Sequence, residues 1–397
     1  MTFPLAGVRV LDLSNVLAGP FCGYQLALLG AEVIKIEQPV TGDLARQLGA
    51  DPAAAARSMG TSFVAVNGGK QSITLNLKHD EGKEIFLRMV RDADVVLENF
   101  RPGVMARLGL GYEELAAINP ALIYCAISGF GQDGPMAARP AYDQIIQGIA
   151  GVMSITGDAG SAPLRVGYPA SDTIGGLTAA FAICAALVQS RAGGGGRMID
   201  VSMLESTLAT MGWVVSNYLN VGVEPTPMGN ENFTAAPSGT FKTGDGLLNI
   251  AANEDKQYRT LCRLVGRADL IDDDRFADRQ NRKIHRKALK DELEDALRTR
   301  SAAQWEQLLV DAGVPAGKVM TVPQILGDPH IAQRHFVSSF DTPTGRQHLT
   351  RCGFRMSDGD PHPASAAPML SAHTDTHLER MGYSTEQIDA LRQKGTI

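Results

Sequence analysis

Asp172 lies in Pro169-Ala170-Ser171-Asp172-Thr173-Ile174-Gly175-Gly176, where small residues lead into an apolar stretch. Ile174, Leu177, Phe181, Cys184 and Val188 recur there at steps of three and four. The pattern predicts a long helix buried on most sides, packed deep in its domain, with Asp172 at its opening. An aspartate at that position suits two roles. It can cap orphan N–H groups of the first turn. It can also serve as a carboxylate nucleophile, kept ionised by the same N–H groups and flanked by glycines that leave room for a substrate. The spacing favours neither role, and the two are compatible.

A second set of residues is cationic. Arg101 sits in Glu98-Asn99-Phe100-Arg101-Pro102-Gly103, Arg107 follows about a turn and a half later, and Lys70 and Lys78 flank a neighbouring strand. Gathered at one edge of a sheet they could hold a phosphorylated carrier, although each taken singly is an ordinary solvated charge.

Other chemistries lack their residues. Of eight histidines none lies between His79 and His285, so no imidazole stands near Asp172 in sequence for a triad or proton shuttle. His373 and His377 have the spacing of a helical metal pair without a surrounding H-E-x-x-H, and no metal is expected. Gly193 to Gly196 is followed by no Lys-Ser/Thr, which marks it as the turn ending the long helix. The turn Ser14 to Pro20 lacks G-x-G-x-x-G, so Glu37 has no claim as a ribose ligand.

These side chains need a frame, and the first 130 residues supply a pattern for one. Strand-like Val8 to Leu13, a helix over Phe21 to Gly30 and strand-like Glu32 to Glu37 form a β-α-β unit. Ser72 to Leu77, a helix opened by Asp80 with Ile85, Phe86, Met89 and Val90 on one face, and Asp94 to Glu98 continue it; Ala121 to Ser128 follows. The alternation predicts a Rossmann-like, mostly parallel sheet covered by helices. A helix around Met203 to Tyr218 leads to the linker candidate Pro225 to Asn230. Beyond it, a strand Leu247 to Ala252, a helix Lys283 to Arg298 and a helix with the capping box Ser301-x-x-Gln304 predict a smaller α+β or α/β domain. The last helix opens with Ser384-x-x-Gln387.

The chain has 397 residues, room for two to three domains, and carries 37 basic against 43 acidic residues with no Lys/Arg-rich run. No nucleic-acid partner is expected from that balance. Five cysteines, never in C-x-x-C, read as reduced thiols. The N-terminus has no basic segment leading into an apolar one, and the longest apolar runs stay well short of the roughly 20 residues that span a bilayer. A cytoplasmic protein without a membrane partner is the expectation.

Leu17-Ala18-Gly19-Pro20, Val33-Ile34-Lys35-Ile36-Glu37, the Glu98 to Gly103 segment, Asp172 before its Gly-rich helix, Asp200-Val201-Ser202-Met203-Leu204 and Ser371-Ala372-His373-Thr374 recur in a recognisable order. In order and spacing the chain resembles the class III CoA-transferases, the family of formyl-CoA transferase, carnitine CoA-transferase and the α-methylacyl-CoA racemases, from about Leu5 to Ile397. The resemblance implies a large Rossmann-like domain built from both chain ends and a smaller inserted α/β domain. Its parts would be 1–200, a linker 201–228, the small domain 229–325, and a return over 326–397. It also implies an interlocked ring-like homodimer and CoA thioesters as substrates without a tightly bound cofactor. Asp172 would be the nucleophile, forming an aspartyl anhydride and then an aspartyl-CoA thioester. CoA contacts would fall on Leu17, Ala18, Gln38, Leu75, Asn76, Lys78, Asn99, Phe100, Arg101, Arg107 and Tyr142.

Departures from the family pattern narrow the reading. Leu17 stands where formyl-CoA transferase has an active-site glutamine, Asn15 where it has a histidine and Gln38 where it has an arginine, and its four-glycine flap is missing from the small domain. That argues against oxalate as acceptor. It favours transfer from succinyl-CoA to a short dicarboxylate such as mesaconate, itaconate, malate or a hydroxymethylglutarate-like acid. The alternative is a racemase-type isomerase, but Tyr142-Asp143 replaces the expected His-Asp and so removes one of two bases.

Overall fold

The computed structural model describes residues 3–357 and 359–397. Two compact units emerge. The first comprises the chain up to Val152, Arg165–Val223 and Gln333–Ile397, and the second Met153–Leu164 and Glu224–Ala332. Residues 201–223, assigned to a linker on sequence, thus belong to the first unit, and the short stretch 153–164 joins the second.

In the first unit the chain runs β1 (Arg9–Asp12), α1 (Ala18–Leu28), β2 (Glu32–Glu37), β3 (Gln71–Thr74), α2 (Asp80–Val90), β4 (Val95–Glu98), β5 (Ile123–Ser128), α3 (Asp143–Ile149), α4 (Ala170–Gln189), β6 (Arg197–Ser202), α5 (Met203–Thr210) and α6 (Trp213–Val221). The six strands form one parallel sheet in the order β3-β2-β1-β4-β5-β6, with Val10 beside Val33 on one side and Val95 on the other. This is the Rossmann order, which reverses between β1 and β4 and opens a crevice beyond their carboxyl ends.

Both sheet faces are covered, so the central strands carry Val10-Leu11, Val33-Ile34 and Val95-Val96-Leu97 as apolar runs rather than in alternation. Leu11, Ile34 and Val96 pack on one face with Phe86 and Met89 of α2, the residues the helical period predicted. Val10, Val33 and Val95 pack on the other with Cys22 of α1 and Ala179 and Ile183 of α4. The α1–α4 contact is set by glycine: a Cβ on Gly176 would lie 2.5 Å from the Ala18 carbonyl oxygen.

Helix α4 departs from the expectation of burial on most sides. Leu177, Phe181 and Val188 are 48, 77 and 73% exposed and form an open apolar face, while the opposite face packs on α1, β5 and β6. Contrary to the short apolar runs expected, Ala170–Gly194 is long and apolar enough to cross a membrane by length and composition. The helix gives way at Gly193, which adopts a left-handed φ of 87° as the end-turn reading requires. The helix expected over Met203 to Tyr218 is two helices, parted at Gly212 with φ 50°.

The second unit holds an antiparallel sheet of β7 (Ser238–Lys242), β8 (Leu247–Ala251) and β9 (Ala316–Lys318), with α7 (Asp255–Leu264), α8 (Arg286–Leu297) and α9 (Ala302–Asp311). The helix expected from Lys283 breaks at His285 and its main body is α8, whose Leu289 and Leu293 meet Phe241, Tyr258 and Trp305 in one core. The predicted capping box of α9 is present: Ser301 Oγ accepts from Gln304 N at 3.2 Å, and Ser301 N donates to Gln304 Oε1 at 3.1 Å. The chain then re-enters the first unit through an antiparallel hairpin, Val337–Thr342 with Gly345–Thr350, and two short helices.

Candidate active site

Helix α4 begins two residues before Asp172, and the capping role proposed for Asp172 belongs to another residue. Asp143, at the start of α3, accepts from Ser171 N at 2.8 Å and from Asp172 N at 3.3 Å. The Asp172 carboxylate itself receives no hydrogen bond and no ion pair among the described residues. Partly buried, it is pushed up from 3.8 to about 7 by desolvation and then by the Asp143 charge. The helix N–H groups therefore do not hold it ionised, as the sequence reading supposed. No cation offsets that partial desolvation, which leaves a correspondingly reactive carboxylate once the proton is lost. Gly176 lies one turn later on the same helix face, so the backbone contact with Ala18 brings this turn of α4 to the first turn of α1.

The loop between β1 and α1 is gripped residue by residue. Lys35 Nζ donates to the Ser14 carbonyl at 2.7 Å; Asn99 accepts from Asn15 N and donates to Asn15 O, each at 2.8 Å; Asp43 accepts from Val16 N at 2.9 Å. Val16 is held at φ 67°, a left-handed conformation that costs a β-branched residue about 1–3 kcal/mol. The grip rests on buried ion pairs: Lys35–Asp43 at 2.9 Å, Lys70–Asp12 at 2.8 Å and Arg46–Glu37 at 2.7 Å, all six side chains at 0–1% exposure. Burial opposes ionisation of Asp43, but Lys35 and the N–H groups of Ala45 and Val16 hold its carboxyl below the usual range. Sequence reading missed this network. It placed Lys70 among the surface cations, whereas the side chain is wholly buried against Asp12 and closed to any ligand.

The remaining expected contacts divide by exposure. Arg101, Arg107, Lys78 and Gln38 are exposed at the carboxyl edge of the sheet, and among the described residues none of the three cations has an ion-pair partner. The Arg107 guanidinium folds back to within 3.0 Å of where a Gly103 Cβ would stand. Tyr142 is 68% exposed immediately before Asp143, and Leu17 is partly buried. Ala18 and Leu75 are core residues, so only their backbone can face a ligand. The Asn99 side chain is occupied by Asn15, Phe100 packs against the core, and Asn76 accepts from Lys78 N at 3.1 Å. Gly175 and Gly176 lie inside α4, where their N–H groups belong to the helical ladder and are not free for an oxyanion.

Beneath the Asn99 loop, Glu98 is pushed up to about 7 by burial, with the Asp200 charge adding to the effect, while its Oε2 accepts from Phe100 N at 2.7 Å. The two C-terminal histidines are committed elsewhere: His373 Nδ1 accepts from Ser72 N at 3.1 Å and His377 Nε2 meets Gln71 Oε1 at 2.5 Å.

A parallel sheet with unpaired cations along its carboxyl edge and a desolvated carboxyl on a neighbouring helix makes an α/β enzyme for anionic, carrier-bound substrates. The chain matches the model described as CoA-transferase family III over residues 5–374, and it belongs to that family. It is a CoA-transferase. It is 41% identical to an acetyl-CoA:oxalate CoA-transferase of Acetobacter aceti, over 98% of this chain and 95% of that one. Against a succinyl-CoA:glutarate CoA-transferase of Homo sapiens the identity is 34%, over 99% and 90%. A solved CaiB/BaiF family protein from Brucella suis is 36% identical with a TM-score of 0.84, covering 96% of this chain and all (100%) of that one.

Proposed function

We propose that the enzyme moves CoA from succinyl-CoA to a short dicarboxylic acid through two covalent intermediates on Asp172. The observation that carries this reading is the uncapped, unpaired Asp172 carboxyl at the ligand edge. Its oxygen attacks the thioester carbonyl, the C–S bond breaks, and CoA leaves as thiolate while an aspartyl–acyl anhydride remains. The thiolate then attacks the aspartyl carbonyl carbon, expels the donor as a free carboxylate and leaves an aspartyl-CoA thioester. The acceptor carboxylate repeats the sequence in reverse and restores the Asp172 carboxylate, with no water consumed and no net proton. Lys78, Arg101 and Arg107 hold the CoA phosphates.

Succinyl-CoA and dicarboxylate specificity are supported by relatives named for glutarate and mesaconate. The relative named for oxalate has the highest identity quoted, so the departures at Asn15, Leu17 and Gln38 do not remove oxalate from consideration. An isomerase is disfavoured because both oxygens of Asp143 are engaged, by Ser171 N and by the Gln147 amide at 2.7 Å. Incubation with succinyl-CoA and no acceptor, followed by intact-protein mass measurement, is expected to show one CoA carried on the chain. A panel of oxalate, glutarate, mesaconate, itaconate and malate then discharges it at different rates. Absence of any enzyme-linked species at limiting acceptor overturns the proposal.

The open faces of α4 and α6 support a homodimer: Phe181 of α4 and Trp213 and Leu219 of α6 are 77, 65 and 73% exposed, large apolar side chains that a second copy would cover. Light scattering should return the mass of two chains, and Phe181→Glu should prevent assembly; a native single-chain mass refutes the pairing. Five unpaired thiols, four of them buried, support a cytoplasmic location.

A further inference from the structure

Asp143 was visible in the sequence only as the neighbour of Tyr142, and the transfer chemistry above gives it no step. Its surroundings assign one. Asp143 is 7% exposed and Gln147, one turn later on α3, is fully buried. The Gln147 amide nitrogen donates to Asp143 Oδ2 at 2.7 Å and to the Tyr168 carbonyl at 3.2 Å, and its oxygen accepts from Val166 N at 2.9 Å. Asp143 Oδ1 takes up the chain where Gln147 stops, at Ser171 N and Asp172 N. Two side chains of α3 thus hold the backbone at four points along the seven residues that lead to the nucleophile. No cation pairs with Asp143 among the described residues.

We infer that Asp143, tethered by Gln147, is a positioning residue that fixes the approach of the Asp172 carboxyl and sets a second carboxyl beside it. The inference rests on Asp172 being the nucleophile. Other elements packed on α4 also carry titratable groups: Cys22 and Tyr24 on α1, Tyr124 and Cys125 on β5, Arg197 and Asp200 on β6, and Glu205 on α5. None of them contributes to the raised carboxyl of Asp172; Asp143 does.

The test is the pH dependence of CoA-adduct formation from succinyl-CoA. The native rate should fall about tenfold per unit below a midpoint near 7. Asp143→Asn keeps an oxygen for Ser171 N but removes the charge, and the midpoint should fall by about one unit, which at pH 6 raises the rate relative to its own plateau roughly fivefold. Gln147→Leu keeps the charge and cuts the tether: the midpoint should stay while the plateau drops roughly tenfold. An unmoved midpoint in folded Asp143→Asn, or an unchanged plateau in Gln147→Leu, overturns the inference and leaves the covalent mechanism standing. Failure of the native protein to form an adduct defeats the mechanism itself, so the two failures are told apart.

Discussion

Asp172→Ala protein, incubated with succinyl-CoA, takes up no CoA and turns over at least about four orders of magnitude more slowly than the native enzyme, because no neighbouring group can replace the nucleophile. Asp143, the carboxylate that bonds the Asp172 N–H, has both oxygens bound by donors, and no histidine is near in sequence. The same site makes a second, opposite prediction for stability. A carboxyl moved from 3.8 to about 7 on folding makes the native state bind its proton more tightly than the unfolded chain does. Stability from this group is complete below about pH 4 and is lost as pH rises to 7, by on the order of 3 kcal/mol once partial exposure is allowed for. Asp172→Asn carries no such penalty. Its denaturation midpoint should exceed the native one at pH 8 and coincide with it near pH 3.5. Equal midpoints at pH 8 would show that the carboxyl is not desolvated.

Asp43→Ala is expected to lower stability by about 3–5 kcal/mol, the range for breaking a buried ion pair from one side. The fully buried Lys35 ammonium loses its ion-pair partner, and Val16 and Ala45 lose the acceptor of their N–H groups. Activity falls further than stability, since nothing then holds Val16 left-handed ahead of α1. The double substitution Lys35→Met with Asp43→Leu separates these effects. With no orphaned charge it should recover much of the stability but not the adduct rate. Urea titration and adduct kinetics measure both, and a single-substitution loss below about 1 kcal/mol would contradict the pairing.

The frame was legible where period and burial coincide. Val8 to Leu13 and Glu32 to Glu37 read as strands, Ile85 to Val90 as one buried helix face, and Ser301-x-x-Gln304 as a cap, because each is decided by neighbours in sequence. What failed depends on contacts between distant segments. Lys35, flanked by Ile34 and Ile36 in a strand covered on both faces, carried a signal: a charge there must be paired. Its partner Asp43 lies beyond a turn, and only the fold identifies it. Helix α4 was read as core because an apolar period is the same whether the face meets the domain interior or another surface; Phe181 is the residue that separates the cases. Asp172 was located by its place before the glycines, yet its capping role went to Asp143, 29 residues away, through a bond no spacing rule predicts.

The meeting of Gly176 with the Ala18 carbonyl works as a ruler. At 2.5 Å for a missing Cβ, backbone touches backbone, so the spacing between the first turns of α1 and α4, and with it the place of Asp172 against the β1–α1 loop, is a fixed length that no exchange of side chains can extend. An engineer recutting this surface should leave that axis alone and vary exposed positions such as Tyr142, which can change without moving the backbone beneath.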